Sequence, residues 1–78
     1  MEHRGLPVVF HQHAFDGAAA EGLTEWDAHD ALVHGKETRR ARGRIQVEHA
    51  RGKKVVIVRY AEREHDNFVF SVSQRARR

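Results

Sequence analysis

The chain has 78 residues and a formal net charge of +3. That length bounds it to one domain, with a marginal core, because a domain this small buries only about 60% of its unfolded surface. The absence of cysteine excludes a disulfide scaffold, a thiolate zinc finger and a cysteine nucleophile. No apolar run approaches the ~18 residues of a membrane span, and no signal-peptide pattern opens the chain. The expected protein is soluble and cytoplasmic, with no membrane partner.

The charge is segregated. Residues 1–35 carry one basic residue, Arg4, against six acids and sum to −5. Residues 36–78 carry 13 basic residues against five acids and sum to +8. Such asymmetry points to a polyanion meeting the second half.

Met1–Gly5 is polar and reads as a frayed end. Pro7 opens a short apolar stretch, Val8-Val9-Phe10, that suits a brief strand or an extended lead-in. From His13 to Glu21 the residues Ala14, Phe15, Ala18 and Ala19 recur at helical spacing, and Gly22 is a stop signal. Thr24 reads as the N-cap of a second helix over Glu25–His34, with Glu25 and Asp27 in its first turn, where the helix dipole favours acids. That helix is expected to bury Trp26, Ala28, Leu32 and Val33, with Gly35 in the left-handed position after its end.

Beyond Gly35 the period changes to two. Thr38–Ala41 reads as a short edge strand turning at Arg42-Gly43. Arg44–His49 alternates polar and apolar residues as a half-buried strand does. Ala50–Lys53 forms a turn with Gly52 at positive φ. Val55–Ala61 is β-branched and reads as a central strand. Glu62–Asn67 is a loop, and Phe68–Ser73 is the last strand. The order predicts an α+β domain: two short N-terminal helices packed on one face of a three- or four-stranded antiparallel sheet. A single domain over residues 1–78 is expected, ordered from residue 6 or 7 to 74, with 1–5 and 75–78 mobile.

Parity assigns the faces. Ile45, Val47, Val56, Val58, Phe68, Phe70 and Val72 are expected against the helices. Arg44, Gln46, Glu48, Arg59, Ser71, Ser73 and Arg75 are then on the open face. Arginines offer bidentate donors to phosphate oxygens, and serine hydroxyls add neutral ones. Glu48 suits either a general base or an ion pair with a neighbouring arginine. Any antiparallel sheet with one solvated face alternates in this way, whatever it does.

Seven histidines are many for this length, and histidine suits proton transfer near neutrality. His11-x-His13 is weak as a metal signature, because a structural site needs three or four converging ligands. No metal or cofactor is expected. A phosphate-binding glycine loop, a nucleophile elbow and a His-Glu-x-x-His motif are all missing. The basic half also lacks the interleaved exposed aromatics of a single-strand stacking platform.

Several motifs together carry a resemblance: His13-Ala14, then Gly22-Leu23-Thr24 nine residues after the histidine, then Ala31-Leu32 and Gly35, then a β-meander. Over roughly Pro7–Ser73 the chain resembles a family of small bacterial domains that open with a His-Ala helix and share the fold of RelE/ParE-like and barnase–colicin-like ribonuclease toxins. The resemblance implies a metal-independent endoribonuclease of toxin–antitoxin type, acting on RNA or the ribosome and restrained by an antitoxin or inhibitor protein. His13 matches the family's helix-1 histidine. Arg59, with Ser71 or Ser73, matches its polar strand positions. The implied reaction is attack of a ribose 2′-OH on the adjacent phosphate. His13 would be acid or base, Arg59 and Arg44 a clamp, and Ser71 or Ser73 an orienting donor. Gln46 and Arg75 would extend the RNA-binding face. Gly17 and Glu21 stand where family members carry arginines. The alternatives are a non-catalytic RNA- or ribosome-binding domain, and a protein–protein module such as a homodimer pairing the acidic half with the basic half.

Overall fold

The computed structural model describes residues 1–77. Six strands and two helices follow in the order β1 (Glu2–His3), β2 (Leu6–Phe10), α1 (Gln12–Ala20), α2 (Glu25–His34), β3 (Lys36–Arg39), β4 (Arg44–Arg51), β5 (Lys54–Glu62) and β6 (Asn67–Ala76). They form one curled sheet in the order β1-β2-β6-β5-β4-β3. All neighbours are antiparallel except β2 and β6, which run parallel through Val8–Asn67, Val9–Phe68 and Phe10–Val69. Among the described residues, no helix is long and apolar enough to cross a membrane.

This corrects the expected architecture. The sheet is mixed and six-stranded, not antiparallel with three or four strands, and the helices are not N-terminal. β2 is the origin of the difference. Its five residues alternate half-buried Leu6, Val8 and Phe10 with exposed Pro7 and Val9. Its partner lies almost sixty residues away, so no local turn signal announces it. Two segments expected to be mobile carry strand pairing: Glu2–His3 pairs with β2, and Arg75 and Ala76 pair with Val55 and Lys54. Arg78, the last residue of that tail, lies outside the described residues.

The helices form where local chemistry favours them. Thr24 and Asp27 make a capping box, each side chain accepting the other's backbone N–H, which satisfies two donors left open by the first turn. Gly22 leaves α1 at a φ of +72°, open to glycine without steric cost. Gly35 differs from expectation: its φ is −79° and its ψ 169°. It is required for space instead. A Cβ there would meet the Ala31 carbonyl oxygen and Val47 Cγ1 at 2.5 Å, and the Glu48 oxygen at 2.9 Å.

α1 packs on β6, and α2 packs across β4 and β5, on the same face of the sheet. Small residues set the separation. Ala14, Ala18, Ala28 and Ala31 are buried with Leu32 against Ile45, Val47, Val56, Val58, Tyr60, Val69 and Val72. Trp26 and Val33, expected in this core, are 68% and 54% exposed. The alanine stripe already occupies the seam that α2 presents to the sheet, so the large side chains turn outward. Asn67 is buried because its amide donates to the His3 carbonyl at 2.7 Å. That bond, with His29 on the Glu2 carbonyl at 2.8 Å, ties β1 to the rest of the molecule.

Replacing Gly35 by Ala forces a methyl into these contacts. We expect it to lower unfolding stability by about 1–3 kcal/mol, the usual range for overpacking. Urea unfolding checks this, and an unchanged midpoint would contradict the close approach of α2 to β4.

Candidate functional site

The face turned away from the helices is set by one irregularity. Arg59 pairs with Ser71 but Tyr60 pairs with Val69, so Phe70 is an extra residue in β6. Such a bulge reverses side-chain parity across itself. Asn67 and Val69 point to the helices on one side of it, and Val72 does so on the other. Phe68, Phe70, Ser71 and Ser73 are all half-buried and belong to the opposite face. The expectation that Phe68 and Phe70 pack beneath the helices is therefore corrected. α1 lies close on β6, since a Cβ at Gly17 would sit 3.2 Å from the Val72 oxygen. That spacing suits valines and has no room for phenylalanine rings.

Cross-strand register then arranges the face in rows. Gln46, Arg59 and Ser71 lie side by side, Glu48, Ile57 and Ser73 form the next row, and Arg44, Ala61 and Phe68 the row on the other side. Arg59 Nε donates to Gln46 Oε1 at 3.0 Å, and the Gln46 side chain also contributes to holding the Glu48 carboxyl low. Arg44 places its guanidinium carbon 5.4 Å from the centre of the Phe70 ring. Arg40, Arg44, Ile45, Gln46, Arg59 and Phe70 together line a cleft of about 220 Å³.

Ion pairing decides which cations are available here. Arg39 and Arg4 bond to Glu37 and Glu62, Arg51 to Asp27, Arg63 to Asp66 and Arg75 to Glu48. Arg40, Arg44 and Arg59 have no carboxylate partner among the described residues. All three line the cleft, whereas Arg42 and Arg77, which also lack a carboxylate partner among the described residues, lie outside it. Glu48 takes the ion-pair role: Arg75 Nη2 donates to its Oε1 at 2.6 Å, and this bond holds its carboxyl below the usual carboxylate range.

The proposed site residues are thus brought together in part. Arg44, Gln46 and Arg59 share the cleft, Ser71 stands in the Arg59 row, Ser73 is two strands from Glu48 with Ile57 between them, and Arg75 bonds Glu48. His13 is elsewhere. It is exposed at the start of α1, its ring stacked on His11 with centres 4.9 Å apart, and its backbone N–H donates to His11 Nδ1 at 3.0 Å. His11 in turn meets Phe68 edge-on at 5.8 Å. The imidazole pair therefore borders the face at Phe68. No hydrogen bond joins His13 to Arg59, Ser71 or Ser73 among the described residues. Among those residues no group of three or more histidine or carboxylate side chains is placed to hold a metal ion.

Arg40, Phe68 and Phe70 are functional candidates that sequence reasoning missed. The only sequence signal for the aromatics is that Phe68–Ser73 offers two competing apolar faces, Phe68/Phe70/Val72 and a mixture joining Val69 to Val72. A comparison with protein families, curated proteins and solved structures finds no match to this chain.

The Arg75–Glu48 pair yields a pH test. A carboxyl with a lowered folded-state pKa stabilises the fold above its unfolded value of about 4.3 and loses that contribution as pH falls through the folded value. In Arg75→Gln we expect the Glu48 titration, followed by carboxyl carbon NMR, to move up toward the ordinary glutamate range. An unmoved titration would mean that the ion pair is not formed in solution.

Proposed function

We propose that the helix-free face of the sheet binds RNA, with Arg40, Arg44 and Arg59 taking phosphate oxygens. The observation that carries this reading is the convergence of these three unpaired arginines on one cleft beside Phe70 and Gln46. Guanidinium groups match phosphate oxygens bidentately, and a cluster of three arginines without ion-pair partners attracts a polyanion over distances near the Debye length. The Ser71 and Ser73 hydroxyls on the same face can both donate and accept, as recognition of a ribose 2′-OH requires. The acidic helices lie on the opposite face, away from the phosphates.

A second reading, metal-independent RNA cleavage in the manner of the ribonuclease toxins the sequence resembles, draws support from the stacked His11–His13 pair at the Phe68 margin. Two adjacent imidazoles can supply a base and an acid for 2′-OH attack on phosphate. Their separation from Arg59 and the serines makes binding the better-supported function.

A labelled single-stranded RNA 12-mer, titrated by fluorescence anisotropy at several salt concentrations, tests the first reading. We expect binding that weakens with salt and exceeds that of a DNA strand of the same sequence. In Arg44→Gln and Arg59→Gln the dependence of log affinity on log salt should each become shallower by about 0.7, the loss of one phosphate contact on a single strand. No RNA binding at low salt would refute the proposal. For the second reading, cleavage of the same RNA should survive EDTA and vanish in His13→Ala. Intact RNA after long incubation with wild-type protein would exclude it.

A further inference from the structure

Resting on the RNA-binding reading above, we propose that Phe68 and Phe70 form a two-base stacking platform, so that the ligand is RNA with at least two consecutive unpaired bases.

The two rings are two residues apart on one strand and share the exposed face. Even with the bulge at Phe70 shortening the strand rise, their Cα atoms are separated by roughly 5.5–6.6 Å. Stacked nucleotides advance by only about 3.4 Å per strand. Two neighbouring bases can therefore occupy both rings only if they are unstacked from each other. This is the state of single strands, loops and bulges, whose splayed bases stack on protein aromatics or on arginine planes. A duplex cannot meet that spacing.

Each ring already holds a planar cation. The Arg63 guanidinium carbon is 4.4 Å from the centre of Phe68, and that of Arg44 is 5.4 Å from Phe70. The two stations differ in how firmly the cation is held. Arg63 is fixed by two bonds to Asp66, Nε to Oδ1 at 2.5 Å and Nη2 to Oδ2 at 2.6 Å. A base at this station extends the stack over the guanidinium plane. Arg44 has no carboxylate partner among the described residues, and the cleft beside it is lined by Gln46 and Arg59. At this station Arg44 moves to the phosphate and the base takes the Phe70 face. Gln46 is held between Arg59, which donates to its Oε1, and Glu48, whose carboxyl its side chain helps to hold down, so it fixes the Arg59 guanidinium beside this station. Rings of this kind contribute sequence-tolerant affinity, whereas arginines on phosphates contribute the salt-dependent part.

The test uses the full chain and four labelled probes: a single-stranded RNA 12-mer, the same RNA as a blunt duplex, the same strand with two adjacent abasic sites at its centre, and a strand abasic throughout. Phe68→Leu and Phe70→Leu should each weaken single-strand binding about tenfold, with the salt slope unchanged. Neither should change duplex or fully abasic binding, and Phe70→Tyr should bind like wild type. Circular dichroism and the thermal midpoint verify that the variants are folded. Single-strand affinities of the Leu variants within twofold of wild type would overturn the platform. So would a wild-type preference for duplex, or equal loss in Phe70→Tyr and Phe70→Leu. In those outcomes a retained arginine-dependent salt slope leaves the RNA-binding reading standing, whereas no binding of any probe at low salt removes both.

Discussion

The extra residue in β6 opposite Arg59 and Tyr60 governs both faces of the sheet. Without it, strand alternation would carry Phe68 and Phe70 under α1, where the separation is set by Ala14, Ala18 and Gly17. Two phenylalanine rings would push that helix away. With it, Val69 and Val72 fill the space under the helix, and the rings stand beside Arg44 and Arg59. The bulge costs one ladder position in the most extensively paired part of the sheet. In return the same strand supplies a close-packed interior and an aromatic, hydroxyl-bearing exterior.

Charge is organised by a similar division. Thirteen basic residues in the second half suggest a broadly positive surface, but half of the described arginines are paired with carboxylates nearby. Arg4 and Arg39 share Glu37 and Glu62 across the β1 and β3 ends of the sheet, and Arg51 bridges β4 to the start of α2 through Asp27. These exposed pairs add little stability singly, yet they remove cations from the general field. Of the five described arginines left without a carboxylate partner, Arg40, Arg44 and Arg59 gather around one cleft. Location and pairing, more than net charge, distinguish this surface from an ordinary solvated one.

The helices and the β4–β5 hairpin were legible in the sequence because their signals are local. Thr24 and Asp27 announce a capped start, Gly52 takes the positive φ its turn needs, and the alternation from Arg44 to Glu48 holds in the fold. Arg44, Gln46 and Arg59 fall on the helix-free face that alternation assigns them for the same reason, since β4 and β5 pair without a register shift. β2 was not legible as part of the main sheet, because its partner is remote. The β6 faces were misassigned because Phe68, Phe70 and Val72 form the more apolar parity set. Only the tight α1 contact makes that choice unworkable. Trp26 was misassigned for a related reason: hydrophobicity says that a side chain gains by burial, not whether the seam has room. His13 was placed on the correct helix, but its alignment with strand residues depends on tertiary geometry that spacing does not encode.

The parallel pairing of β2 with β6 has a consequence for how the chain is made. Residues 6–10 emerge from synthesis almost sixty residues ahead of their inner neighbour, Asn67–Val69. Throughout that interval β2 has only the two-residue β1 beside it, and its other edge offers unpaired backbone groups to any extended chain nearby. β5 likewise waits for β6. One late strand therefore closes two edges at once, so the nascent protein passes from an open sheet to a continuous one in a single long-range step, the kind of contact that slows folding. Asn67 sits at that junction, and its bond to His3 links the first strand to the last as the sheet closes.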